Sequence, residues 1–150
     1  MTTLSAFPWA DRGITGANFI AAVNTPVAQS VADVRGAFPE NQVHAWPDGQ
    51  GGARVVIESI ELGPAWVQQT SWLGFDISYV YPDADCYPHY VRPDLQRVDG
   101  QALLPPVHVG NLFAEQPAVM VSRRSNRRDL VLGTAARKAL SVVSFLQEQA

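Results

Sequence analysis

Two hydrophobic periods alternate along the chain, and each change of period marks the end of a predicted element. In "NTPVAQSVADVRG" valines recur at i, i+4 and i+7, which predicts a helix with one apolar stripe. The stripe consists of Val27, Val31 and Val34. Thr25 is the expected N-cap, because a proline follows it at the first helical position, and Gly36 is expected to close the helix. Residues 1–16 have no clear period and predict an irregular arm.

From residue 43 onward the period changes to two, which is typical of strands. "VHAW" and "ARVVIESIEL" predict two strands joined by the turn "PDGQGG", whose residues tolerate a positive φ. "AWVQQTSWLGFDISYVY" predicts a third strand, in which Phe75, Ile77 and Tyr79 alternate with polar residues and face the core. These segments together predict an antiparallel meander.

Regular structure is expected to stop after Tyr81, because six of the eleven prolines fall between residues 82 and 117. "AVMVS" at 118–122 predicts one short strand, and "RRSNRRD" predicts a basic turn. A last helix is expected after Thr134 as its cap. Its apolar face is predicted to comprise Ala136, Ala139, Leu140, Val142, Val143 and Leu146.

The fold class that follows is α+β, with a three- or four-stranded antiparallel meander, an N-terminal helix, a long proline-rich loop and a C-terminal helix. The helices are expected on one side of the sheet. A length of 150 residues predicts one domain over residues 1–150.

Composition narrows the functional classes. Apolar residues make up 47% of the chain and charged residues 17%, which is a globular balance. A formal net charge of -3 does not favour nucleic acid or an anionic membrane as a partner. One cysteine cannot form an internal disulfide, and no apolar run reaches the ~20 residues of a membrane helix, so we expect a cytoplasmic protein.

Residues 79–94, "YVYPDADCYPHYVRPD", concentrate the candidate chemistry, with four tyrosines, three prolines, three aspartates, one histidine and the only cysteine. Within them "YPHYVRP" places a second proline, Pro93, a few residues after the pair Tyr87-Pro88. This motif, together with the order of elements, resembles the ubiquitin-conjugating-enzyme fold and its inactive UEV and RWD relatives. The longer run "YPHYVRPDLQRVDGQALLPP" resembles divergent bacterial members of that group. In those proteins the Tyr-Pro motif braces the loop beneath the active site.

The resemblance also implies where a nucleophile belongs. Active members of the family carry a cysteine about twenty residues after the Tyr-Pro motif, just beyond a His-Pro-Asn triplet. Here that region reads "HVGNLF", with His108 and Asn111 but no cysteine, and Cys86 precedes the motif. The resemblance therefore implies a non-catalytic module that docks a ubiquitin-like or activating-enzyme-like protein, with no cofactor.

The residues themselves leave alternatives open. Cys86 is a candidate thioester nucleophile with His89 as its base, against the alternative of a small buried side chain. Asp83, Asp85, His89 and Asp94 match no short metal motif, so no metal is predicted.

Tyrosines and arginines supply the candidate binding groups. The tyrosines of residues 79–90 suit a groove for an extended peptide, or alternatively pin the loop to the sheet. The arginines of "RRSNRRD" suit a phosphate or carboxylate, or alternatively form a solvated turn. A phosphate or nucleic-acid binder that works through residues 123–128 is therefore an alternative function. The predicted partner-binding residues are Tyr87, Pro88, His89, Tyr90, Arg92, Arg123, Arg124, Arg127 and Arg128.

Overall fold

A computed structural model of the chain describes residues 16–83, 85–123 and 134–149. It contains three helices: α1 (Gly16–Ala22), α2 (Thr25–Ala37) and α3 (Ala135–Gln147). It contains six strands: β1 (Val43–Pro47), β2 (Ala53–Glu61), β3 (Thr70–Ile77), β4 (His89–Val91), β5 (Val107–Phe113) and β6 (Gln116–Val121). The predicted irregular arm falls outside the described residues, except for Gly16, which begins α1.

The strands form one antiparallel sheet in the order β1-β2-β3-β4-β6-β5. The predicted α+β class is confirmed. The sheet has six strands rather than the predicted three or four, because the proline-rich segment, which was predicted to be a loop, contains β4 and β5. Strand β4 spans only three residues between Pro88 and Pro93, too few to show a period of two in the sequence. Its short ladder joins two parts of the sheet, since Tyr90 pairs with Gly74 of β3 and with Met120 of β6.

Helix α2 confirms the predicted valine stripe. Val27, Val31 and Val34 are all buried in the main core, between the helices and one face of the sheet. The N-cap position is taken by Asn24 rather than Thr25. The Asn24 amide does not cap the helix, and instead donates to the carbonyl oxygen of Tyr79 at 2.9 Å. A backbone carbonyl from a distant turn thus holds the side chain that could otherwise have capped the helix.

Helix α3 begins as predicted at Thr134, whose hydroxyl accepts a hydrogen bond from the backbone N–H of Arg137 at 3.3 Å. Its buried face is rotated from the predicted one, because Leu140 is 43% exposed whereas Lys138 is 6% exposed. The helix packs beside α2 over the sheet.

The connection between β2 and β3 fixes the C-terminal end of α3. The indole N–H of Trp66 donates to the carbonyl oxygen of Leu146 at 2.9 Å, and this hydrogen bond is buried. Gly63 has φ +93°, and a Cβ on it would lie 2.8 Å from the Cα of Gln147. Only glycine allows this close approach, which explains a glycine at that turn.

The sheet face opposite the helices, which we call the open face, carries a second apolar cluster. Its buried members are Trp46, Val56, Trp72, Phe113, Ala114 and Ala118, and none belongs to a described helix. The Phe113 ring occupies the space beside Gly74 where a Cβ would come within 2.6 Å of it. The tip of the β5–β6 hairpin therefore closes over part of the open face.

Tyr79 does not face the core as predicted. Strand β3 ends at Ile77, the chain turns over the next residues, and Tyr79 is 53% exposed. The alternating pattern continues in sequence beyond Ile77, but Ile77 pairs with Ala53, the first residue of β2, so β2 offers no partner to the residues that follow.

Candidate functional site

Residues 78–94 leave β3, turn, and return to the sheet as β4. Because neighbouring strand residues point to opposite faces, His89 and Val91 face the helices while Tyr90 lies on the open face. The predicted partner-binding residues of this segment therefore divide between two sides of the sheet.

His89 occupies the helix side and is 1% exposed. Both ring nitrogens are buried without a hydrogen-bond partner among the described residues, and the imidazole lies against the Phe75 ring with centroids 4.9 Å apart. Burial is the main cause that lowers the pKa of His89 to about 3, and the nearby Lys138 charge lowers it further while Asp85 opposes the shift. The ring is therefore a neutral core side chain near neutral pH and is not presented to a partner.

A buried ion pair lies close to this imidazole. The Lys138 ammonium is 3.0 Å from the Asp85 carboxylate, and both side chains are largely buried. The pair ties the segment before β4 to helix α3. Lys138 was not among the predicted site residues, although its spacing of three and four residues from Ala135 and Val142 places it on the buried stripe of α3.

Cys86 follows Asp85 directly and is 1% exposed. A thiol acts as a nucleophile when its thiolate meets a substrate, which requires access to the sulfur. His89 makes no hydrogen bond to Cys86, since neither ring nitrogen has a partner. The pair does not form an activated nucleophile in this conformation.

Tyr90 lies at the centre of a polar and aromatic surface on the open face. Its ring stacks on Phe113 with centroids 5.0 Å apart. Burial is the main cause that raises the pKa of Tyr90; the Asp76 and Tyr87 charges act in the same direction, and the Arg54 charge opposes them. Arg54 pairs across β2 and β3 with Asp76 at 3.3 Å. We call Arg54, Asp76, Tyr87 and Tyr90 the open-face cluster.

The open-face cluster is partly accessible to solvent. Asp76 is exposed, and the other three side chains are intermediate. Neighbouring protein atoms remove part of the water around the exposed Asp76 carboxyl and raise its pKa, while the charge of the nearby Arg54 guanidinium opposes that shift. Further along the same face the His44 ring and the Glu58 carboxylate form a cross-strand hydrogen bond. The surface thus combines aromatic rings with charges of both signs, as protein-binding surfaces commonly do.

Arg92 has an internal structural role. Its guanidinium donates to both carboxylate oxygens of Asp94, at 2.6 and 2.9 Å, and to the carbonyl oxygen of Thr70 at 3.0 Å. The hydrogen bond from Arg92 is the main cause that lowers the pKa of the Asp94 carboxyl. These bonds hold the turn after β4 against β3.

The predicted arginine site is described only at its first residue. The Arg123 guanidinium lies over the Phe145 ring, 4.7 Å from its centroid. Arg124, Arg127 and Arg128 lie outside the described residues. Pro88 is half-buried and follows Tyr87 through a cis peptide bond.

His108 and Asn111, which the family resemblance singled out, both lie in β5. The His108 ring is 3.0 Å from the Ser122 hydroxyl. The Asn111 amide donates to the carbonyl oxygens of His108 and Val109, at the irregular register of β5 with β6. Both side chains thus support the strand itself.

Across the described ranges, no three histidine, cysteine, aspartate or glutamate side chains are grouped so that they can hold a metal ion. Across the same ranges, no helix has both the length and the apolar character that crossing a membrane requires.

The described fold defines an α+β protein with an open six-stranded antiparallel sheet. Comparison with protein-family models, curated protein sequences and solved structures finds no match.

Proposed function

We propose that this chain is a non-catalytic module of the ubiquitin-conjugating-enzyme type that acts in a bacterial ubiquitin-like conjugation system. Its expected partner is a ubiquitin-like or an activating-enzyme-like protein. We also propose that the sheet, the proline-rich segment and the terminal helices adopt the arrangement of the ubiquitin-conjugating fold. The "YPHYVRP" motif supports it, because the motif forms β4 and the residues that flank it.

One observation carries the non-catalytic part of the proposal. The chain's only cysteine is 1% exposed, and no cysteine stands near His108 and Asn111. A thioester-forming protein must present its sulfur to a bulky acyl donor, and Cys86 does not do so. The alternative of an active enzyme using Cys86 is therefore disfavoured.

The open-face cluster is the surface that we assign to the partner. Tyr90 and Tyr87 offer rigid, amphipathic contact area, and the neighbouring Arg54 and Asp76 provide charges that fix orientation. Tyrosine and arginine are enriched among residues that contribute most to binding. His89 lies in the core on the other side of the sheet, and Arg92 holds the turn after β4.

We place the module in the bacterial cytoplasm, because a lone buried cysteine gives it no need for an oxidising compartment.

The experiment uses the purified ubiquitin-like and activating-enzyme-like proteins encoded beside this gene. Isothermal titration calorimetry measures binding of the wild-type chain, of Arg54→Ala and of Tyr90→Ala. Each variant is expected to raise the Kd at least tenfold, which corresponds to about 1.4 kcal/mol.

Tyr79→Ala is the matched control, since it removes an exposed tyrosine that lies outside the open-face cluster. It is expected to leave the Kd unchanged, and thermal unfolding checks that every variant is folded. The proposed surface is contradicted if neither protein binds the chain, or if Tyr79→Ala raises the Kd as much as the other two variants do. A reducible adduct with the charged ubiquitin-like protein that Cys86→Ser abolishes contradicts the non-catalytic assignment.

A further inference from the structure

The distribution of basic residues leads to an inference about modification of the chain itself. Ten of the eleven basic residues are arginine, and Lys138 is the single lysine in the 150 residues. Lysine amines are the acceptors of acetylation and of ubiquitin attachment, whereas the arginine guanidinium stays protonated and does not accept acyl groups in this way. The chain therefore contains one lysine acceptor.

That acceptor is buried. Lys138 is 6% exposed, and its ammonium is 3.0 Å from the Asp85 carboxylate. The adjacent residue of α3, Arg137, is exposed, so the same helix presents arginine to solvent and lysine to the core. Removing one partner of a buried ion pair strongly destabilises the fold, because the other charge is left buried and unpaired. Separating the Lys138 ammonium from Asp85 is therefore costly.

We propose that the folded domain withholds its only lysine from acyl transfer, so that it takes part in a lysine-modifying conjugation system without becoming an acceptor. This inference rests on the proposed function for its biological meaning. The shielding itself depends only on Lys138 and its surroundings.

The chemistry explains why burial and pairing both matter. In acyl transfer the amine nitrogen forms a bond to the acyl carbon, the bond from that carbon to its leaving thiol or alcohol breaks, and the nitrogen gives up a proton. The Lys138 nitrogen donates a hydrogen bond to the Asp85 carboxylate at 3.0 Å, so it must leave that partner before it can attack. A buried nitrogen also cannot meet a carbonyl carried by another protein.

The test is amine acetylation with sulfo-N-hydroxysuccinimide acetate, applied to the full chain in buffer and in guanidinium chloride that unfolds it. Mass spectrometry of the peptide that contains residue 138 follows the rate. Acetylation of Lys138 is expected to be at least about 100-fold slower in the folded chain, because it requires an opening of the core. A folded rate within about tenfold of the unfolded rate overturns the proposal.

Arg137→Lys is the matched control, because it places an exposed lysine beside the buried one. Residue 137 is expected to react at nearly the unfolded rate in the folded variant while Lys138 stays protected. Equal protection at both positions overturns the proposal, since it would show that helix α3 as a whole, and not the buried pair, hinders the reagent.

A second variant, Asp85→Asn, removes the charge that pairs with Lys138. We expect it to raise the acetylation rate of Lys138 in the folded chain at least tenfold, and circular dichroism checks that the variant is folded. An unchanged rate in a folded Asp85→Asn variant overturns the role assigned to the ion pair. None of these measurements involves a partner, so failure of the shielding and failure of the proposed docking are separate results.

Discussion

Replacing His89 with phenylalanine is expected to reduce the acid sensitivity of the fold. The native pKa of His89 is about 3, against an ordinary value of 6.5, mainly because of burial. Since the folded pKa is lowered, the unfolded chain binds the proton first as the pH falls. The contribution of His89 to stability is therefore complete above pH 6.5 and is lost progressively as the pH falls toward 3.

The size of the effect follows from the two pKa values. One pKa unit corresponds to about 1.4 kcal/mol. By linkage, protonation of this single ring is expected to reduce the free energy of unfolding by about 2 kcal/mol at pH 5 and about 3 kcal/mol at pH 4. His89→Phe removes the titrating group without breaking a hydrogen bond, because neither ring nitrogen has one.

Urea unfolding of wild type and His89→Phe between pH 7.5 and pH 4 measures this difference. Carboxylates also titrate in that window, so the informative quantity is the difference between the two curves. His89→Phe is expected to lose about 3 kcal/mol less than wild type on going from pH 7 to pH 4. His89→Leu serves as a second apolar variant should the larger ring not be accommodated.

His108→Gln is the control, because that ring is only partly buried and contacts the Ser122 hydroxyl. If His108→Gln departs from the wild-type pH dependence as much as His89→Phe does, the effect is not specific to position 89. Parallel curves for wild type and His89→Phe would refute the argument, since they would mean that position 89 binds no extra proton on unfolding.

Three further substitutions test the packing that positions the candidate site. Gly74→Ala is expected to destabilise the fold by ~1–3 kcal/mol in urea unfolding, because the new Cβ would lie 2.6 Å from the Phe113 ring; a change below about 0.5 kcal/mol would contradict that contact. Thr134→Ala removes the cap of α3 and is expected to cost about 1 kcal/mol, which Thr134→Ser should largely restore if the hydroxyl is responsible. Trp66→Phe leaves the buried carbonyl of Leu146 without the indole donor and is expected to lower stability by ~1–3 kcal/mol, and an unchanged unfolding midpoint would count against that bond.

Local patterns in the sequence were sufficient for the elements that carry a clear period. The valine stripe of α2 and the Thr134 cap of α3 follow from spacing and from capping chemistry, and both are present in the structure. The hairpin of β1 and β2 follows from two alternating runs on either side of a glycine-rich turn. These features depend on residues close together in the chain, which is why the sequence alone predicts them.

Long-range pairing decided what the sequence did not predict. Strand β4 exists because β3 and β6 supply ladder partners on both sides of three residues that show no period by themselves. The predicted inward position of Tyr79 was wrong because β2 supplies no partner beyond Ala53. A strand requires a neighbour, and its identity is a property of the whole sheet.

The sequence by itself determined which chemistry is concentrated between residues 79 and 94, and only the tertiary structure decided which side of the sheet each group occupies. His89 and Tyr90 are adjacent in sequence, yet one is buried beneath α3 and the other contributes to the open-face cluster. Likewise the sequence shows that Cys86 is the only cysteine and Lys138 the only lysine. Their burial depends on packing against segments that are distant in the chain. Alternation along a strand separates neighbours, and the arrival of a helix on one face then determines which of them meets solvent.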